Sequence, residues 1–358
     1  MKLLRAVFIP VLAIGAGLGI GAIIVKMVGE SPGEMYRLLF TGAFGSLNGI
    51  AYTLFYATPL IFTGLAVAVG FRGGLFNIGA EGQLTLAAFV AAWAGINLSF
   101  LPPLILVPTC ICVAVAVGAI WAAIPGFLKV RFGVHEVINT IMMNFVAVGL
   151  ANFLVTGPFR APGDQIPETT LIGNAAHIPR AGALLSPVGL DMPSYVPLNV
   201  SFLMGIVACI LIHLFLFRTT WGFEMRAVGL NPKAAEAAGI NVAKNIVLAM
   251  AISGALAGLV GVNDVMGYEY RYRDGFSPGY GFLGIAVALL GRNHPFGVLC
   301  TAILFGALVR GGLTVDMLME RISKDIVYLI QGVIIVAVAS AGAGARRWKT
   351  RALRERAT

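Results

Sequence analysis

Charged residues are scarce in this chain. Only 11% of its 358 residues are Asp, Glu, Lys or Arg, whereas 58% are hydrophobic. Soluble domains carry about 25% charged residues, so this composition excludes an ordinary soluble protein. Because a membrane-spanning helix needs about 20 apolar residues, the chain has room for roughly ten such helices.

Motifs for binding nucleotide phosphates or zinc are also absent. The dipeptide Gly-Lys never occurs, which excludes the GxxxxGK[ST] loop that cradles ATP phosphates. The four cysteines lie in apolar runs, and no two of them form a CxxC pair. Acidic residues inside apolar segments are few, with Glu81 and Asp264 as the candidates. We therefore expect a transport protein without catalytic residues, metal or cofactor, which takes energy for active transport from another subunit.

Ten apolar segments predict an all-α polytopic membrane protein that occupies the whole chain as one domain, 1–358. They cover residues 6–28, 50–71, 82–98, 102–124, 137–156, 196–217, 246–266, 276–291, 295–310 and 325–345. The eighth segment is short and Gly-rich, which is typical of half of a broken helix. Eight spans with re-entrant segments are the alternative.

The distribution of Lys and Arg predicts the orientation, because these residues mark the cytoplasmic side. With a cytoplasmic N-terminus, every even-numbered connection carries them, and so does the tail. The basic residues of the tail are Arg346, Arg347, Lys349, Arg351, Arg354 and Arg356. The connection 157–195 has one net negative charge and is predicted to be an external loop, either a docking site or a solvated lid. The net charge of +9 is thus explained by the orientation in the membrane, and we do not expect a nucleic-acid partner.

Two stretches, 64–91 and 258–290, each consist of a Gly-ended span, a polar Gly-rich break and a span of small residues. They predict a five-plus-five internal repeat, a common transporter plan. The first break contains Asn77, Glu81 and Gln83. Non-helical backbone at membrane depth requires surrounding protein or a water-filled cavity. These residues therefore predict either a substrate pathway or a turn in which Glu81 caps the next helix.

Two further segments carry polar or aromatic groups. Residues 132–145 contain Asn139 and Asn144, which indicate either hydrogen bonds between helices or contacts with a polar solute. Residues 275–295 contain Phe282, whose ring predicts either stacking on a flat ligand or anchoring at the membrane interface.

A polar interruption at 218–245 contains helix start and stop signals. Asn231 suits the N-cap, Pro232 the first helical position and Gly239 the residue after the end. These signals predict a helix of about two turns on the cytoplasmic face, where another protein docks.

Four blocks give the chain a family resemblance: NIGAEGQ at 77–83, FGVHEVINTIMMNF at 132–145, AVGLNPKAAEAAGI at 227–240 and GFLGIAVALLGRNHPFG at 281–297. Over nearly its whole length the chain resembles the permease subunits of bacterial ABC importers. The match lies in the branched-chain amino acid and simple-sugar permease superfamily, and within it in the nucleoside-type branch.

The resemblance implies a multi-pass protein of the bacterial inner membrane in which two permeases, identical or homologous, form the pathway. It implies an extracytoplasmic solute-binding protein and a cytoplasmic ABC ATPase, which uses ATP and Mg and docks on a coupling helix at 231–239. A nucleoside pathway is expected along Asn77, Glu81, Gln83, Asn139, Asn144 and Phe282. Contacts with the ATPase are expected from Glu224, Arg226, Asn231, Lys233, Ala234, Ala235 and Gly239.

Three other functions are compatible with parts of the sequence. A simple-sugar, ribose-like ABC permease shares much of the four blocks. An ion-coupled secondary transporter would use Glu81 or Asp264 as its coupling group. A membrane enzyme or scaffold is the third, and no set of catalytic residues favours it.

Overall fold

The computed structural model describes residues 2–163, 165–185 and 192–337, with side chains described at 12–163, 165–183 and 192–337. The basic tail and the end of the tenth predicted span lie outside these residues. The described residues form helices and two isolated β-bridges. The helices are α1 Lys2–Met27, α2 Pro32–Phe44, α3 Leu47–Arg72, α4 Ala80–Asn97, α5 Pro103–Phe132, α6 Glu136–Thr156, α7 Ala181–Leu185, α8 Ser201–Arg218, α9 Thr220–Leu230, α10 Pro232–Ala237, α11 Val242–Gly258, a π-helix Val262–Glu269, α12 Tyr280–Leu290, α13 Pro295–Leu318 and α14 Asp325–Ala337.

Every predicted span contains a helix, which confirms the all-α polytopic class. Six helices of the described chain are long and apolar enough to cross a membrane: α3, α5, α6, α8, α13 and the continuous stretch Val242–Glu269. Helix α12 has only 11 residues. At 1.5 Å per residue it covers about half of a 30 Å hydrocarbon core, as expected for half of a broken helix. The total of ten spans stays a prediction.

Several predicted boundaries were wrong. Residues 32–44 and 220–230, for which no helix was predicted, form α2 and α9, because Ser31 and Thr219 cap their first turns. Helix α5 continues eight residues past its predicted end, since Lys129 and Arg131 suit the negative end of a helix. Helix α13 likewise continues to Leu318.

The described residues divide into two compact units. The smaller unit draws on the described residues 2–53 and 307–337, and in it the Thr53 hydroxyl donates to the Ala43 carbonyl at 3.1 Å. The larger unit, 54–306, is built around α4, which is buried on nearly all sides by α5, α6, α11 and α12. A helix buried on all sides is apolar all round, so the polar groups near its start must find partners within the protein.

Within the larger unit, connections that are distant in sequence come together in two groups. In the connection 157–195, the described residues 168–178 lie along residues 266–274, where Thr169 N–H donates to Tyr272 O at 2.9 Å and Ile172 N–H to Tyr270 O at 2.8 Å. Glu168 accepts from Arg271 and from Arg273, and this pairing explains why the connection at 269–274 carries basic residues although it is predicted to be external. Arg72, Arg226 and Arg292, from three connections predicted to be cytoplasmic, line one cavity.

Candidate functional site

The break between α3 and α4 is organised around the Asn77 side chain. Its Nδ2 donates to Gln83 Oε1 at 3.0 Å and to Ser253 Oγ on α11 at 2.8 Å. Its Oδ1 accepts from Gly79 N–H at 2.9 Å and from Gln83 Nε2 at 3.1 Å. Ser253 in turn donates to Ala66 O on α3 at 2.6 Å. The amide therefore joins α3, α4 and α11 at the point where the backbone is irregular.

Asn144 fastens α6 to the same break. Its Oδ1 accepts from Gly82 N–H at 2.8 Å, and its Nδ2 donates to Ile78 O at 2.9 Å. Gly82 N–H is one of the first amides of α4, which have no partner within the helix, and Ile78 O lies just before the helix begins. Asn144 thus acts as a cap supplied by a neighbouring helix.

These amides are buried and their hydrogen-bonding capacity is used inside the protein. Asn77 and Gln83 are each 1% exposed, and Asn144 is 7% exposed. Their geometry favours the joining of helices over contact with a solute. A pathway role for them stays a prediction. Ser253 was missed because a single Ser among small apolar residues carries no distinctive pattern.

Glu81 links the first turns of two helices. It lies in the first turn of α4, and its Oε2 accepts from Gly281 N–H in the first turn of α12 at 2.7 Å. The backbones approach so closely that a Cβ on Gly281 would lie 2.4 Å from the Glu81 nitrogen. Because the N-terminal ends of two helices carry partial positive charge, they compensate a carboxylate that would otherwise be costly at membrane depth.

Residues 275–279 read GFSPG, a match to the GxSxG pattern of serine hydrolases. Here Ser277 Oγ accepts from Gly279 N–H at 3.3 Å and from Tyr280 N–H at 3.1 Å. Ser277 therefore caps α12, and no strand precedes it among the described residues. A nucleophile elbow requires a strand before the serine, so this motif is structural.

Phe282 and Asn139 are more accessible than the buried amides. Phe282 follows Gly281 directly and is 50% exposed. Asn139 is half-buried, and its Nδ2 lies 3.5 Å from Pro125 O on α5. The Phe282 ring is therefore half-exposed beside the Glu81–Gly281 junction.

Residues 230–240 form the capped helix that the sequence predicts. Asn231 Oδ1 accepts from Ala234 N–H at 3.2 Å, and Pro232 occupies the first turn. At the other end Gly239 has φ +81°, which favours glycine. Gly239 N–H donates to Glu236 O and Ile240 N–H to Ala235 O, the two bonds of a Schellman motif.

Helix α10 is exposed at every position except Ala235. Lys233 and Ala234 face solvent, and so does Gly239 beyond its end. Behind it, Glu224 of α9 accepts from Asn245 Nδ2 on α11 at 3.1 Å. The Arg226 guanidinium lies 5.1 Å from the Phe217 ring on α8. The two charged residues of α9 thus contact the bundle, whereas α10 presents its surface outward.

Residues 49–339 match the family described as "Branched-chain amino acid transport system / permease component". The chain belongs to this permease family. It is 38% identical to the guanosine ABC transporter permease NupP of Bacillus subtilis, over 95% of each chain. It is 34% identical to the glucose permease TsgB13 of Haloferax volcanii, over 91% of this chain and 85% of that one. It is 36% identical to the nucleoside permease NupB of Lactococcus lactis, over 94% and 91%.

The family makes this chain the transmembrane permease subunit of an ABC transporter, not an enzyme. In the family, such permeases work with ATPase and binding-protein partners. The same three organisms each have a second, less similar permease that matches at 26–29% identity.

This chain has a buried acid, Asp264, in its π-helix, where Asn263 Nδ2 donates to its carboxylate at 3.3 Å. Ion coupling through Asp264 or Glu81 is not favoured, because the family is driven by ATP.

Proposed function

We propose that this permease carries nucleosides across the bacterial inner membrane in an ATP-driven importer, with both termini in the cytoplasm. A second permease, homologous or identical, completes the pathway, and an extracytoplasmic binding protein delivers the nucleoside. A cytoplasmic ATPase hydrolyses ATP with Mg, and this chain binds neither. The observation that carries the substrate assignment is the 36–38% identity to guanosine and nucleoside permeases over nearly the whole chain.

The proposed pathway passes the Glu81–Gly281 junction. Two helices begin there within the bundle, and the half-exposed Phe282 ring offers a face on which a nucleobase stacks. Asn139 contributes a partly accessible amide. Asn77, Gln83 and Asn144 support this junction from behind through the hydrogen bonds of the α3–α4 break.

The proposed ATPase contact is centred on α10. Asn231 and Gly239 define the two ends of this helix, and Lys233 and Ala234 lie on its exposed surface. Ala235 anchors it to the bundle, while Glu224 and Arg226 hold α9 in place behind it. Small exposed side chains allow the helix to enter a cleft on the ATPase.

A second candidate substrate is a simple sugar. The relative TsgB13 transports glucose according to its name and is 34% identical to this chain. A sugar pathway needs hydroxyl-binding amides and does not require the Phe282 ring to stack on a flat base.

The test is to isolate the tagged permease from its native membrane in mild detergent, identify its partners, and measure uptake in proteoliposomes. We expect an ATPase to co-purify, and labelled guanosine or uridine to enter only with ATP and binding protein. Phe282→Ala should reduce nucleoside uptake without affecting ATPase recovery. Uptake of ribose or glucose but not of nucleosides would favour the sugar assignment, and uptake without ATP would refute the driven importer.

A further inference from the structure

A cavity of about 410 Å³ opens between the end of α3, α9 and the turn after α12. We call it the arginine pocket and define it by Phe71, Arg72, Arg226, Gly229, Leu230, Arg292 and Asn293. Its volume falls within the roughly 300–1,000 Å³ typical of small-molecule sites. It is separate from the Glu81–Gly281 junction and from the exposed surface of α10.

The pocket is rich in positive charge that the described protein does not neutralise. None of its three arginines belongs to an ion pair of the described residues. Glu224 is the acidic residue of α9, and it is engaged with Asn245 on α11. No acidic residue lines the pocket. Guanidinium groups are matched in geometry to carboxylate and phosphate.

The walls of the pocket are held in place. Arg72 Nε donates to Asn293 O at 2.9 Å, which fixes the end of α3 against the turn after α12. The Arg72 and Arg226 guanidiniums lie 5.4 Å and 5.1 Å from the same Phe217 ring. The backbones of α9 and α3 are in direct contact. A Cβ on Gly229 would lie only 2.2 Å from Arg72 O. Arg72 and Arg226 are thus positioned before any ligand arrives.

The turn after α12 carries two unusual features. Arg292 and Asn293 both have left-handed backbone conformations, with φ of 57° and 53°. Such conformations are uncommon and cluster at functional sites. Asn293 Oδ1 is also buried without a hydrogen-bond partner. Rotating this amide by 180° exchanges its oxygen and its NH₂ group. In either orientation Asn293 has unused hydrogen-bonding capacity beside the arginines.

We propose that the arginine pocket binds a phosphate group attached to an apolar or aromatic body. The three arginines and Asn293 receive the phosphate oxygens, while Phe71 and Leu230 contact the apolar portion. This chemistry fits a nucleoside monophosphate and the head group of an anionic phospholipid equally. Since α9 leads directly into α10, a bound phosphate stabilises the segment next to the helix of the proposed ATPase contact.

The test uses the full-length permease in nanodiscs of phosphatidylcholine, with binding of adenosine monophosphate measured by calorimetry and adenosine as the comparison. Loss of one charge-assisted contact should weaken binding about ten-fold or more, so Arg292→Gln should show that loss. Arg292→Lys should restore part of the affinity. Arg131→Gln removes an equally exposed arginine at the end of α5, outside the pocket, and should change binding less than about two-fold.

A second arm distinguishes the source of the phosphate. If adenosine monophosphate does not bind, native mass spectrometry of permease from nanodiscs containing phosphatidylglycerol should show the lipid retained by wild type and Arg131→Gln but lost from Arg292→Gln. That result would assign the pocket to lipid. Equal behaviour of Arg292→Gln and Arg131→Gln towards both probes would overturn the proposal. Neither arm measures transport, so the outcome is independent of which solute the permease carries.

Discussion

The break between α3 and α4 and the α9–α10 segment are both polar interruptions between apolar helices, yet the protein uses them in opposite ways. At the break, Asn77, Gln83 and Asn144 are at most 7% exposed and bond to one another or to neighbouring backbone. Along α10, only Ala235 is buried. Polar residues that satisfy one another hold the helices of the bundle together, whereas α10, capped at both ends, keeps the exposed surface that we propose as the ATPase contact.

Among the variants that test this difference, Asn77→Ala should have the largest effect on stability. The substitution removes the partner of Gly79 N–H, Gln83 and Ser253 inside the protein. Each buried group left without a partner costs about 1–3 kcal/mol, so we expect a fall of several kcal/mol in the free energy of unfolding, or failure to accumulate. Thermal unfolding in detergent can be followed with a thiol-reactive dye that reports exposure of the buried Cys110 and Cys209.

Asn97→Ala is the matched control for that substitution. Asn97 lies at the end of α4, is exposed, and makes one bond to Trp93 O. Its loss should change the free energy of unfolding by less than about 0.5 kcal/mol. Equal unfolding temperatures for the two variants would show that the buried amide network does not stabilise the break.

Gly281→Ala tests the junction of α4 and α12. The new Cβ would lie 2.4 Å from the Glu81 nitrogen, so the helices must separate and weaken the Gly281–Glu81 hydrogen bond. We expect a loss of about 1–3 kcal/mol in the same unfolding measurement. Gly149→Ala on α6 has open space around its Cβ and should be neutral. An unchanged Gly281→Ala protein would mean that the close approach is not required.

A smaller effect is expected from His177 in the connection 157–195, which is predicted to be external. Burial lowers the pKa of its imidazole below the ordinary 6.5, and the Arg180 charge lowers the pKa further. The unfolded chain therefore binds the proton more readily than the folded chain, and stability falls as the pH drops below about 6.5. His177→Gln should reduce this dependence between pH 7 and 5. Identical pH profiles for wild type and His177→Gln would contradict the assignment.

Among these variants, Ala234→Trp should change the unfolding temperature least and ATP-driven uptake most. Ala234 is exposed on α10, so the unfolding temperature should stay within about 1 °C of wild type. A large ring on the proposed ATPase contact should nevertheless prevent ATPase association and reduce ATP-driven uptake about ten-fold or more. Ala243→Trp places the same ring on the exposed first turn of α11 and should retain uptake. Normal uptake by the Ala234 variant would refute the docking role of α10.

Much of the fold was predictable because it depends on local physics. Long apolar runs must become helices in a bilayer, where every backbone group needs an internal partner. The ends of α10 followed from Asn231, Pro232 and Gly239, whose preferences are set within a few residues of the chain. Helix α9 was missed because its amphipathic pattern is weak, and only Thr219 signals its start.

The sequence by itself determined the membrane class, most of the long apolar helices, the capped helix and, through four blocks of residues, the permease family. Only the tertiary structure decided that Asn77 bonds to Ser253, that Glu81 meets Gly281, and that Arg72, Arg226 and Arg292 share one cavity. These partners are separated by 66 to 220 residues. Hydrogen bonds and charges act over a few ångströms, so their pairing depends on how the helices pack and not on their spacing along the chain.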